Sequence, residues 1–270
     1  MNSFFYNKVF IITGSTQGIG LETGKQLLEL GAQVVFNGRR ELPNAALNDL
    51  FRLYPQNTLY QCADVGKEIE VSQLIHAVIK RFGKINGILL NAGMASQGPL
   101  HLHTAEVVHT IVQTNLLGAI WLTQKALPEL IKTRGHVVFI SSAAALCGIP
   151  EYSLYSATKK ALNGLAESLY SELYKYQIHV GLAIVGFTEN ETFKTALDYK
   201  GHLQAVPRRT TFKPMPRAKT AACIIQQLAR RKTRIVTGWS GRMAAFFSQW
   251  FPALYLQLLK RHYLKNKASN

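Results

Sequence analysis

The segment "KVFIITGSTQGIG", Lys8 to Gly20, decides how the rest of the chain is read. A short apolar run, Lys8–Thr13, passes into a loop with glycines at 14, 18 and 20, and then into a helical pattern. Glycines at such a turn let the backbone bend sharply and approach a pyrophosphate with no Cβ in the way. The phosphate then rests on the N-terminus of the following helix, where free N–H groups and the helix dipole favour an anion. Gly14, Ser15, Thr16, Gln17, Gly18, Ile19 and Gly20 are therefore candidate cofactor-binding residues. The spacing is G-x3-G-x-G rather than G-x-G-x-x-G, so the loop alone also fits a plain strand-to-helix turn.

Outward from this loop, β-rich runs alternate with amphipathic stretches. Gln33–Phe36, Thr58–Cys62, Gly87–Asn91, His136–Ser141, His179–Val185 and Arg234–Thr237 read as further strands. Helical segments are expected near 18–30, 42–54, 68–82, 104–132, 153–176 and 217–231. Strands separated by helices of that length predict an α/β fold with a parallel sheet covered on both faces. A polar, proline-bearing loop at 188–216 interrupts the rhythm.

The second strand runs out as "VVFNGRR". An acidic residue is usual here for a cofactor with a free ribose 2′-hydroxyl. This chain has Asn37 and Gly38, then Arg39 and Arg40, and a guanidinium binds a 2′-phosphate bidentately. NADP(H) is thus expected over NAD(H), while Glu41 and a simple solvated pair of arginines keep the alternative open.

Three further pieces bear on chemistry. "NAG" at Asn91, Ala92 and Gly93 closes the fourth strand, and "QTNLLG" puts Asn115 in the long helix that follows. The run "VVFISSAAALCGIPEYSLYSATKKAL" places Ser142 before Tyr155, with Lys159 four residues beyond the tyrosine. An i, i+4 pair shares one helical face. A phenol with a reference pKa near 10 needs a shift of roughly 3 units to exchange protons at neutral pH, about 4 kcal/mol. One ammonium about 4 Å away supplies on the order of 4 kcal/mol at an effective dielectric of 20. Ser142 is placed to hydrogen-bond a substrate oxygen on which charge develops.

On these motifs the sequence resembles the short-chain dehydrogenase/reductase family over about residues 8 to 190. The resemblance implies a Rossmann-type doubly wound sheet in a single domain. It implies Tyr155 as general acid/base, Lys159 as the group that lowers its pKa and holds the nicotinamide ribose, and Ser142 as the carbonyl-orienting hydroxyl. Asn115 would help fix a water in a proton relay through Lys159. Asp64 and Val65 match the adenine-contacting position, and Asn91 the residue near the adenine ribose. The chain departs at the sixth strand, where "IVGFTENETF" has Val185 before Gly186 in place of proline. Asn190 falls where a carboxamide-contacting threonine is expected, so Thr188 or Thr192 would take that contact. "RIVTGWSGRM" replaces the ending of the fatty-acid-synthesis ketoacyl reductases. It is similar to the membrane-associated branch that includes 3-ketosphinganine reductase and 11β-hydroxysteroid dehydrogenase.

Charge is concentrated at one end. All fifteen acidic residues lie at or before Asp198, whereas Lys200 to Asn270 holds fifteen Lys and Arg and no acid. That asymmetry suits an anionic partner such as a membrane surface or an acidic carrier protein. The basic segment matches none of the standard nucleic-acid recognition modules. Cys62, Cys147 and Cys223 stand singly, which argues against disulfides or a metal site and for a reducing compartment. The N-terminus reads as neither a signal peptide nor an anchor. From Met243 the large apolar residues recur at helical spacing through Leu259, interrupted by Pro252. One helix over that run would span roughly 26 Å, short of the roughly 30 Å of a bilayer core. Two amphipathic half-helices are expected, lying on an anionic bilayer surface with Lys260, Arg261, Lys265 and Lys267, or packing over the substrate cleft or a dimer. Arg208, Arg209, Lys213, Arg217 and Lys219 are expected around the pocket mouth.

The combined expectation is a reductase domain at 1–237 with an amphipathic basic extension at 238–270. It would be a cytoplasmic or membrane-peripheral homodimer or homotetramer that reduces a lipophilic ketone or aldehyde with NADPH. A ketoacyl reductase of carrier-bound chains, or an alcohol or hydroxysteroid dehydrogenase working oxidatively, is the alternative.

Overall fold

In the computed structural model, residues 2–41, 44–189, 195–206 and 213–268 are described. Asn190, Thr192, Arg208 and Arg209, named above, lie outside them, as do the side chains of Lys265 and Lys267.

A short helix α1 (Asn2–Phe5) leads into β1 (Val9–Ile12), α2 (Gly18–Glu29), β2 (Gln33–Gly38) and α3 (Ala45–Leu53). Then follow β3 (Thr58–Cys62), α4 (Glu68–Phe82), β4 (Gly87–Leu90), α5 (Ala105–Val112), α6 (Gly118–Thr133) and β5 (His136–Ser142). The second half contains α7 (Ser153–Glu172), β6 (His179–Val185), β7 (Thr195–Leu197), β8 (Leu203–Ala205), α8 (Arg217–Ala229) and β9 (Arg234–Val236). It closes with α9 (Trp239–Trp250) and α10 (Pro252–Ala268).

Seven strands form one sheet in the order β3-β2-β1-β4-β5-β6-β9, and every pair in it is parallel. The reason is visible in β1. Val9 and Ile11 face one core with Val35, Ile88 and Phe139, while Phe10 and Ile12 face the other with Val34, Phe36 and Leu89. All four residues are fully buried, so a strand apolar on both sides must be covered on both sides. The helices α4, α6 and α7 supply residues to the first core, and α2, α3 and α8 to the second.

The order reverses between β1 and β4, and a crevice opens outside the carboxyl ends of the strands at such a switch. The glycine loop and "NAG" both fall there. The single helix expected over 104–132 is instead α5 and α6 joined by a π turn at Gln113–Leu117. The loop expected at 188–216 contains the antiparallel hairpin β7–β8.

Candidate active site

The loop after β1 is shaped by its own hydrogen bonds. Gly14 (φ 58°) and Gly18 (φ 64°) hold left-handed backbone, and a Cβ on Gly14 would lie 2.9 Å from Ala92 Cα. Ser15 Oγ donates to Ile12 O (2.6 Å) and accepts from Asn37 N (3.0 Å), tying the loop to β2. Asn91 Nδ2 donates to Thr13 O (2.9 Å) and Gly14 O (3.0 Å), tying it to β4. Gln17 precedes α2 without a side-chain cap, and the first turn carries no acid. A helix N-terminus without a side-chain cap from Gln17, beside a loop in which a Cβ on Gly14 or Gly20 would clash, forms a cradle that fits a pyrophosphate. Gly14 to Gly20 and Asn91, Ala92 and Gly93 are thus brought to one place.

Asn37 is almost wholly buried, and its Nδ2 donates to Gln61 O (3.1 Å) and Ala63 O (3.0 Å). It is committed to joining β2 and β3. Arg39 and Arg40, just beyond, are exposed at the same edge. Gly38 packs on Thr16, where a Cβ would meet Thr16 Cγ2 at 2.4 Å, so the arginines emerge beside the glycine loop. Asp64 is partly engaged already, since its Oδ1 accepts from Gly66 N at 2.9 Å. Val65 packs on Gly118, the first residue of α6, which holds the end of β3 against that helix.

The polar residues of the second half converge. Ser142 ends β5, and its Oγ accepts from Ala144 N (3.2 Å), which turns the hydroxyl proton to other use. Tyr155 stands half-buried in the first turn of α7. Lys159, one turn on, is 4% exposed and its Nζ donates to Ile140 O (2.9 Å). Ser141 Oγ donates to Lys159 O (3.0 Å) and Asn163 Oδ1 (2.7 Å), which pins α7 to β5. A Cβ on Gly93 would lie 3.0 Å from Lys159 Nζ and 3.4 Å from Asn115 Oδ1. Glycine there makes space for the ammonium.

Asn115 sits in the π turn, 1% exposed. Its Oδ1 accepts from Met94 N (2.8 Å), and its Nδ2 donates to Met94 O (2.9 Å) and Thr158 Oγ1 (3.0 Å). The widened turn and the Asn115 amide thereby lock the segment after "NAG" against α7. Ser141, Thr158 and Asn163 were missed as positioning groups. Their only signal is proximity to the motif residues.

Past β6, Gly186 N donates to Thr237 Oγ1 (3.2 Å), and Thr188 Oγ1 lies 3.2 Å from Thr220 Oγ1. Thr188 is thus held at the start of α8, where Lys213, Arg217 and Lys219 also lie.

The C-terminal run breaks where expected: α9 ends at Trp250, Phe251 leaves helical geometry, and Pro252 starts α10. Phe246, Phe247 and Phe251 cluster at the corner, with ring centroids 5.6–6.2 Å apart. Among the described side chains of α10, Tyr255, Leu259 and Tyr263 are half-buried, a stripe one residue wide. Tyr263 Oη donates to Glu151 Oε1 (3.2 Å), and burial first, then the nearby Cys147 thiol, pushes the Tyr255 phenol up from its ordinary pKa. The helix therefore lies along the 147–151 segment that leads into α7. Leu254 and Leu258, expected on the same apolar face, are exposed, as are Trp250 (66%), Phe251 and Leu256 (57%). Among the described residues no helix is long and apolar enough to cross a membrane.

A family described as short chain dehydrogenase matches residues 8–200. The chain is 27% identical over 262 residues to dehydrogenase/reductase SDR family member 7B of Xenopus laevis, covering 93% of this chain and 80% of that protein. It is 27% identical over 262 residues to hydroxysteroid 11-beta-dehydrogenase 1-like protein of Danio rerio, covering 95% and 87%. A solved short-chain dehydrogenase from Streptomyces avermitilis superposes with a TM-score of 0.79 at 24% identity, over 97% of this chain and 98% of that one. A gluconate 5-dehydrogenase from Burkholderia cenocepacia, solved with NADP and tartrate, gives 0.75 at 23% over 86% and 94%. The family match spans most of the chain, including the glycine loop, "NAG" and the Ser142–Tyr155–Lys159 run. The chain belongs to the short-chain dehydrogenase family of NAD(P)-binding oxidoreductases.

Proposed function

We propose that this chain is an NADPH-dependent reductase of a ketone or aldehyde on a lipophilic molecule. The observation that carries the reading is the buried Lys159 ammonium, one turn along α7 from Tyr155 and bonded to Ile140 O, two residues before Ser142 at the end of β5. The glycine loop would hold the pyrophosphate, Arg39 and Arg40 the 2′-phosphate, and Asp64, Val65 and Asn91 the adenosine. Thr188 and Gly186 would border the nicotinamide. When bound, the cofactor supplies a hydride to the carbonyl carbon. Tyr155 gives its phenolic proton to the carbonyl oxygen as that C–O bond becomes an alcohol, and Lys159 stabilises the phenolate left behind. Ser142 donates a hydrogen bond to the same oxygen. Purified protein should oxidise NADPH with at least one of a panel of ketosteroids, 3-ketosphinganine, retinal and ketoacyl thioesters. Turnover of the thioesters alone would replace the lipophilic reading with a carrier-bound one.

Lipophilic substrates are supported by α9 and α10, which border the 147–151 segment while presenting Phe246, Trp250, Phe251, Leu254 and Leu258 outward. Contiguous exposed apolar surface of this kind marks an interaction site. With Arg242, Lys260 and Arg261 exposed alongside, it suits an anionic bilayer surface. The full chain should co-sediment with phosphatidylserine-containing vesicles and be released by salt. The Trp250→Glu, Phe251→Glu variant should bind at least roughly fivefold less. Equal binding by that variant would assign the surface to another role.

A further inference from the structure

The hairpin β7–β8 was not expected from the sequence, and its placement is specific. Leu197 N donates to Ala95 O (2.9 Å), Gln97 N to Leu197 O (2.8 Å), and Thr104 N to Tyr199 O (3.0 Å). Leu197 is buried in a small cluster with Val107, Ile111, Met94 and Leu154, the neighbour of Tyr155. The hairpin is thus clamped between the segment after "NAG" and α5. Its tip is shaped by Asp198, whose Oδ1 accepts from Lys200 N (2.8 Å) and His202 N (2.8 Å), with Gly201 at φ 96°.

Beneath the hairpin is a cavity of about 370 Å3 lined by Arg39, Met94, Glu106, Thr110, Lys200 and Leu203, among others. Two cations from distant parts of the chain therefore border one space. Arg39 enters from the end of β2, next to Gly38, which packs on Thr16 of the glycine loop. Lys200 lines the same cavity from the hairpin. A phosphate monoester carries about −1.5 to −2 charges at neutral pH, and of the two arginines after β2 it is Arg39, not Arg40, that lines this cavity, so the guanidinium there leaves part of the charge uncompensated. The Glu106 carboxylate in the same cavity adds to the negative charge to be offset. Two cations against one carboxylate leave a site matched to an added anion.

We propose that Lys200 is a further cation for the 2′-phosphate of the cofactor, closing on it from the hairpin while Arg39 holds it from the sheet. The hairpin is then a cap over the adenosine end, and one element links cofactor choice to the catalytic helix through Leu197 and Leu154. The inference rests on the NADPH reading above.

Equilibrium titration with NADPH and with NADH, followed by fluorescence of the reduced nicotinamide, separates the two. In Lys200→Met the NADPH dissociation constant should rise about fivefold, an increment typical of one partly exposed ion pair, while that for NADH stays within about twofold. Glu106→Gln should tighten NADPH and not NADH. If Lys200→Met leaves NADPH unchanged, or weakens both cofactors equally, the proposal is overturned. Should Arg39→Met abolish the NADPH preference while Lys200→Met retains it, the cofactor reading stands and the hairpin role fails. A wild-type chain that binds both cofactors equally well removes the NADPH reading, and the proposal with it.

Discussion

Tyr155→Phe is expected to lower kcat for carbonyl reduction by about 10²–10⁴-fold, the range for loss of a positioned general acid. NADPH affinity should stay within about twofold and thermal stability nearly unchanged. The asymmetry follows from where the atom sits. The substitution removes one oxygen from a half-buried ring in the first turn of α7 and leaves the helix and its bonds to β5 intact. The groups that would remain are Lys159, whose Nζ donates to Ile140 O, and Ser142, whose Oγ accepts from Ala144 N, and these two bonds do not involve the phenol. Lys159→Met acts differently. It empties the space that Gly93 leaves for the ammonium and removes a bond to β5, so it should cost turnover, cofactor affinity and stability together. A Tyr155→Phe enzyme that binds NADPH and turns over at the wild-type rate would exclude the proposed proton transfer.

The parts of this molecule legible in the sequence are those where local pattern and tertiary role coincide. The central parallel strands are buried on both faces, so near-continuous apolar runs such as Val9–Ile12 and His179–Val185 announce them to within a residue or two. The glycine loop is legible because left-handed backbone and close approach both demand glycine. The π turn was not, because Gln113–Leu117 has ordinary helical composition. What widens it is an amide bonded to Met94 and Thr158, partners that only the fold supplies. The strands of the hairpin are three residues each, too short to carry a period, and they are fixed by pairing with Ser96 and by the packing of Leu197. Arg39 could be named as a candidate phosphate ligand from its place after β2, whereas nothing local marks Lys200 as lining the same cavity.

The same reasoning explains a pair of residues that the motifs passed over and that should dominate the acid behaviour of the fold. His136 and His179 begin β5 and β6 and are opposite each other in the sheet, at the end away from the glycine loop. Their Nδ1 atoms lie 3.1 Å apart, and both side chains are buried, His136 against the rings of Phe4 and Phe10. His179 Nε2 lies 3.0 Å from Lys232 O, which can only accept, so Nε2 carries the proton and Nδ1 of His179 receives one from His136. Both rings are therefore neutral in the native state. Burial, then the charges of His179, Arg231 and Lys8, lower His136 to about 2; burial is also the chief cause that lowers His179 to about 4. Both native values lie below the ordinary 6.5, so the unfolded chain binds protons first. The stabilisation is complete above pH 6.5 and is lost as the pH falls from there, towards 4 for His179 and towards about 2 for His136. By pH 5 the loss is about 2 kcal/mol per histidine, and near that pH the slope approaches 1.4 kcal/mol per pH unit for each. Denaturant unfolding at pH 7.5, 6 and 5 should show this fall for the wild type. His136→Phe, which places another ring beside Phe4 and Phe10, should show about half of it. A wild-type midpoint that does not move between pH 7.5 and 5 would mean that the pair is not buried neutral.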